Sequence, residues 1–145
     1  MTLFQNILVP FDLSGPSTHA FKVALDMAQK YDSQITLVTC VEGDAWHHKY
    51  YDSRIDIQLL KQQTKAAKKS MERLEKMASK VNISIKLQIL KSSSVIKDLV
   101  TFAKSRKIDL VVMSSHSRTG LDKLILGSVA NGVIQKISCP VILIK

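Results

Sequence analysis

A chain of 145 residues is long enough to bury a core of its own, and with 46% hydrophobic and 23% charged residues it lies among globular sequences rather than disordered or fibrous ones. Five glycines and three prolines leave little room for a low-complexity linker, and no apolar run reaches the roughly 20 residues that span a bilayer, so one domain (1–145) with no membrane partner is expected. The net charge of +9 would draw polyanions, but much of it falls on one helical segment with no aromatic residue interleaved for base stacking; a solvated helix face is expected, and nucleic acid is not.

The opening, MTLFQNILVPFD, lacks a basic stretch followed by an apolar run and a cleavage site, so the protein is expected to stay in the cytoplasm. Its LFQNILV portion, rich in β-branched residues, reads as a strand. Past Pro16, which a first helical turn tolerates, Phe21, Ala24, Leu25 and Ala28 recur on one helix face. ITLVTCV is a second strand. The stretch from Glu42 to Arg54, with Trp46, His47, His48, Tyr50 and Tyr51, is the least regular and is expected to be the most mobile. Its two histidines are adjacent rather than at ligand spacing, so no metal site is expected.

Leu60, Ala67, Met71, Leu74 and Ala78 mark a second helix. Lys61, Lys65, Lys68, Lys69, Arg73, Lys76 and Lys80 supply its charge, and Glu72 is placed one turn before Lys76 to pair with it. ISIKLQIL alternates more than the other strands and belongs nearer a sheet edge. Ser92 to Ser94 can cap a third helix marked by Ile96, Leu99, Val100 and Ala103. IDLVVM is a fourth strand, Ala130, Val133, Ile134 and Ile137 mark a fourth helix, and PVILI closes the chain. Cys40 and Cys139 lie in or beside apolar runs and are expected to be buried, reduced thiols.

The order βαβαβαβαβ predicts an α/β fold: a parallel sheet with helices on both faces, Rossmann-like or flavodoxin-like. In such sheets ligands bind beyond the carboxyl ends of the strands where strand order reverses. That rule selects the loops Pro10 to Pro16, Val41 onward, and Ser114 to Ser128. The last, SSHSRTGLDKLILGS, carries Arg118 and Lys123 and ends at Gly127-Ser128 where the fourth helix starts, so its amides and the helix dipole could receive an anion. Equally, Gly127 could permit a turn and Ser128 cap the helix. Neither a Walker A loop nor G-x-G-x-x-G is present.

ILVPFDLSGPSTHAFKVALDMA and DLVVMSSHSRTGLDKLILGSVANGVIQKISCPVILIK resemble the opening and closing segments of the universal stress protein family. The resemblance extends over nearly the whole chain. It implies a five-stranded, three-layer domain of the adenine nucleotide alpha hydrolase-like kind with strand order 3-2-1-4-5, a homodimer through the final strand, and ATP, with or without Mg2+, as ligand. In ATP-binding members the signature is glycine, two residues, glycine, nine residues, glycine, then serine or threonine; here those positions are Ser114, Ser117, Gly127 and Ser128. Two glycines have become serines, whose β-carbon restricts positive φ and close backbone approach.

Pro10, Phe11 and Asp12 stand where the family contacts adenine and ribose, and Val41 where it has an apolar residue against the base. Asp12 could accept from ribose hydroxyls or brace its own loop. Met113, His116, Arg118 and Val129 complete the candidate site around the loop, with Arg118 either a phosphate partner or a solvated cation. No general base beside a water site can be read from spacing, so an enzyme is not expected. Two functions remain: a regulatory adenine-nucleotide module acting through an unknown protein partner, or a nucleotide-independent stress protein acting by protein interaction.

Overall fold

The computed structural model describes residues 3–42, 53–116 and 126–145. In chain order the elements are β1 (Asn6–Pro10), α1 (Gly15–Tyr31), β2 (Gln34–Glu42), α2 (Ser53–Ser79), β3 (Ile85–Ser92), α3 (Val95–Ser105), β4 (Leu110–Ser114), α4 (Ser128–Lys136) and β5 (Val141–Ile144). The strands form one parallel sheet ordered β3-β2-β1-β4-β5, so the expected architecture and order hold. The alternating strand is β3, at the edge, as its pattern required. The irregular stretch after β2 lies outside the described residues over 43–52, while Ser53 and Arg54 already belong to α2.

Period two along each strand divides the core between two faces. Ile7, Val9, Leu110 and Val112 point to one side and meet Phe21, Ala24 and Ala28 of α1 and Met71, Leu74 and Ala78 of α2. Leu8, Val111 and Met113 point to the other and meet Leu99, Phe102 and Ala103 of α3 and Ala130 and Val133 of α4. Because β1 and β4 are covered on both faces, their apolar runs are continuous; both sides of each strand must be dry.

The helix ends follow local chemistry. Ser14 is the N-cap of α1: its Oγ accepts from the Ser17 amide at 3.2 Å, and Pro16 sits in the first turn, where no intrahelical donor is lost. α1 ends at Asp32, a left-handed residue with φ 56°. In α4, Gly132 faces α3 so closely that Ile96 side-chain carbons occupy the space a β-carbon would need. Glycine is there for proximity between the two helices, not for its backbone freedom.

Three expectations are corrected. Glu72 and Lys76 do not pair; the ion pair formed among the described residues is Lys30–Asp26, 2.9 Å, on α1. An exposed pair on a long helix gains little against the side-chain entropy it loses. On α3 it is Phe102, with Leu99 and Ala103, that is buried, while Val100 is half-buried. Ile134 is exposed and Ile137 falls beyond the end of α4 as its C-cap.

Candidate functional site

At the carboxyl ends of the strands the chain turns in opposite directions from β1: β2 and β3 extend the sheet one way, β4 and β5 the other. Where the order reverses, a cavity of about 580 Å³ opens among the described residues, within the usual range for small-molecule sites. Pro10, Phe11, Asp12, Val41, Met113, Ser114, His116, Gly127 and Val129 all border it. Nine candidate residues from three separate loops are thus brought together. Ser128 does not line the cavity. Ser117 and Arg118 lie outside the described residues.

The first wall follows β1. Phe11 donates its amide to the Val38 carbonyl at 2.8 Å, prolonging the β1–β2 pairing, and Leu13 then takes a left-handed conformation with φ 70°. Between them the Asp12 carboxylate accepts from the Ser14 amide at 3.0 Å and from the Ser14 hydroxyl. Asp12 therefore braces the turn that caps α1, a short-range bond of the kind aspartate makes in turns.

The second wall follows β4. Ser114 closes a small turn with its own side chain: Oγ donates to the His116 carbonyl at 2.9 Å and accepts from the His116 amide at 3.1 Å. Ser115 spends its main chain on the fold, donating to the Ile144 carbonyl and accepting from the Gly127 amide. Gly127, not Ser128, is the N-cap of α4, and it makes no side-chain cap bond. Its φ of −60° is open to any residue, so a turn does not explain the glycine. Among the described residues the first amides of α4 consequently have no capping side chain, and Val129 and Ala130 bring that end of the helix to the cavity. At α3, Ser94 occupies the N-cap position but likewise makes no side-chain bond.

Sequence reasoning missed the buried polar groups. Thr39, Ser92 and Ser115 are all less than a tenth exposed, and among the described residues each keeps its hydroxyl oxygen without a hydrogen-bond partner. Thr39 and Ser115 line the cavity; Ser92 does not. A signal existed for Thr39, the polar residue in the run LVTCV, but a strand threonine there reads as ordinary β-propensity.

Cys40 and Cys139 are free thiols, half-buried rather than buried: Cys40 borders the cavity and Cys139 precedes the edge strand β5. Burial pushes the Cys40 thiol up to about 11, with the Asp98 and Glu42 charges adding to it. Burial also raises Cys139. At pH 8 only about one Cys40 in a thousand is thiolate, so in a Cys139→Ser background it should alkylate about a hundredfold more slowly than in urea. The folded chain keeps this proton between pH 9 and about 11, where the unfolded chain releases it, so stability should fall as pH rises through that window. Equal alkylation rates in the folded and unfolded states would show that the thiol is not shielded.

A model of the universal stress protein family matches residues 3–145. A universal stress protein of Methanocaldococcus jannaschii is 30% identical over 99% of this chain and 83% of its own. Among solved structures, universal stress protein UspA from Lactobacillus plantarum superposes with a TM-score of 0.90 at 25% identity, covering both chains completely. The universal stress protein from Archaeoglobus fulgidus in complex with dAMP superposes at 0.67 with 20% identity, again over both whole chains. Among the described residues, no helix is long and apolar enough to cross a membrane.

Proposed function

Since the chain belongs to the universal stress protein family, we propose that it is a regulatory module that binds an adenine nucleotide in the cavity between β1 and β4, as a homodimer joined through β5. One observation carries the nucleotide: a 580 Å³ cavity at the reversal point, into which α4 brings a first turn without a side-chain cap. Free amides at a helix start suit phosphate oxygens. Apolar Phe11, Val41 and Met113 suit a base, and the Asp12 carboxylate suits ribose hydroxyls. The Archaeoglobus fulgidus relative in complex with dAMP supports the ligand class. Magnesium would accompany ATP on its phosphates.

The protein binds its nucleotide rather than converting it. Of the carboxylates and the imidazole that border the cavity, Asp12, Glu42 and His116, this reading gives Asp12 to the Ser14 brace and the ribose and assigns none to activating a water. Nucleotide-independent action through a protein partner is the second reading, and the Ser114 turn favours it: the hydroxyl that replaces a signature glycine is bonded to its own loop.

Calorimetric titration with ATP and magnesium, and with dAMP, on protein stripped of carried-over nucleotide tests the proposal. Micromolar binding is expected. Asp12→Asn retains an oxygen for the Ser14 brace but loses the charge, and should weaken binding tenfold or more, the usual worth of a hydrogen bond to an ionised group. Asp12→Ala should weaken it further, since the turn loosens too. No heat at millimolar ATP would leave the protein-interaction reading.

A further inference from the structure

Two hydroxyls in the cavity wall have no partner among the described residues. Thr39 is 3% exposed and lies in β2 on the α2 side of the sheet, flanked along the strand by Leu37 and Val41 on the same face and paired in register with Ile89 of β3. Every one of those neighbours is apolar. Ser115 is 7% exposed, and its amide and carbonyl are both consumed by β5 and Gly127, which leaves the hydroxyl as its remaining polar group. A buried hydroxyl without a partner is destabilising, and natural proteins keep few of them. Both of these border the cavity, where a group that enters it could satisfy them.

Their places in the sheet limit what that group can be. Thr39 is on β2 and Ser115 follows β4, with β1 between them, so their main chains stand about two strand spacings, or roughly 10 Å, apart, and the side chains leave opposite faces of the sheet across the end of β1. Ser115 sits against Gly127 at the start of α4, the end of the cavity that favours negative charge. Thr39 sits beside Cys40 and Val41 in an apolar wall, where a neutral group that can donate or accept is favoured. A ligand with a hydrogen-bonding base at one end and a phosphate at the other meets both.

We infer that Thr39 contacts the base edge and Ser115 the phosphate of a nucleotide lying across the end of β1, and that these two hydroxyls set the affinity of the site. The inference rests on the nucleotide reading above and assigns its two ends. It also predicts a trade of stability against affinity. Removing an orphaned hydroxyl without changing shape should stabilise the empty protein and weaken the loaded one.

The test measures melting temperature without ligand and affinity for dAMP and for adenosine in wild type, Thr39→Val, Thr39→Ser and Ser115→Ala. Thr39→Val should melt higher than wild type and bind dAMP and adenosine about tenfold more weakly, with Thr39→Ser within about twofold of wild type. Ser115→Ala should weaken dAMP about tenfold and leave adenosine unchanged. Variants that bind both ligands as wild type does would overturn the assignment and leave the nucleotide reading standing, the hydroxyls then being satisfied by buried water. A wild type that binds neither dAMP nor ATP overturns the nucleotide reading itself, and the assignment with it, before any variant is compared.

Discussion

Phe21→Ala should cost the fold about 3–5 kcal/mol, the usual range for deleting a fully buried aromatic ring. The ring is wholly inaccessible and belongs to the cluster that joins α1 to the sheet, with Ile7, Val9, Leu110 and Val112 beneath it. These partners lie on β1 and β4, central strands covered on both sides, and cannot move inward to fill the space without breaking the opposite cluster. Close-packed interiors relax only in part, so a cavity remains. For a chain of this size the loss corresponds to a melting temperature lower by roughly 10 °C. Urea denaturation followed by circular dichroism would measure it. A loss under 1 kcal/mol, with the slope against denaturant unaltered, would mean that α1 settles into the vacated volume and that the face is less rigid than its packing implies.

Leu143→Pro should convert the proposed β5 dimer into a monomer while leaving the fold intact. The reason is the direction of the backbone in β5. The Pro140 and Ile144 carbonyls accept from Val111 and Ser115 of β4, so the two-residue period turns the main-chain groups of Val141 and Leu143 to the open edge of the sheet. That edge carries only apolar residues, VILI, an arrangement that pairs with another strand unless something protects it. Proline at 143 removes an edge donor without touching the bonds to β4. In a symmetric pair the loss occurs twice, and the dissociation constant should rise about a hundredfold or more. Ile144→Pro, whose position bonds to β4, should instead destabilise the fold. Sedimentation of wild type and both variants separates these outcomes, and a wild type that sediments as a monomer at tens of micromolar would discard the β5 dimer.

The same face-by-face reasoning explains what was legible beforehand. Apolar runs of four to eight residues separated by segments of helical period specify strands, helices and a parallel sheet, because burial on both faces leaves no polar alternation in β1 and β4. The alternation in β3 marked it as the edge, and Pro16 marked the start of α1. These features depend on neighbours in the chain or on the period of one element. The three candidate loops followed from topology alone, since parallel strands place all their carboxyl ends on one side.

Side-chain partners, by contrast, are decided across the sheet. Nothing local distinguishes Phe102 from Val100 on α3; the rotation of that helix on the sheet, pressed against α4 at Gly132, buries the first and leaves the second half-exposed. Glu72 and Lys76 had the spacing for an ion pair, but spacing permits such a pair without requiring it where water solvates both charges. Ser114 and Ser115 are adjacent and alike in sequence. One bonds to its own turn and the other faces a cavity with no partner, because β4 ends between them and successive residues point to opposite faces. Composition and period thus determined this protein's alternating elements, its parallel sheet and where its strands end, the strand order being implied by the family resemblance, whereas packing alone decided which hydroxyls and amides are left open there, since satisfaction of a polar group depends on atoms distant in the chain.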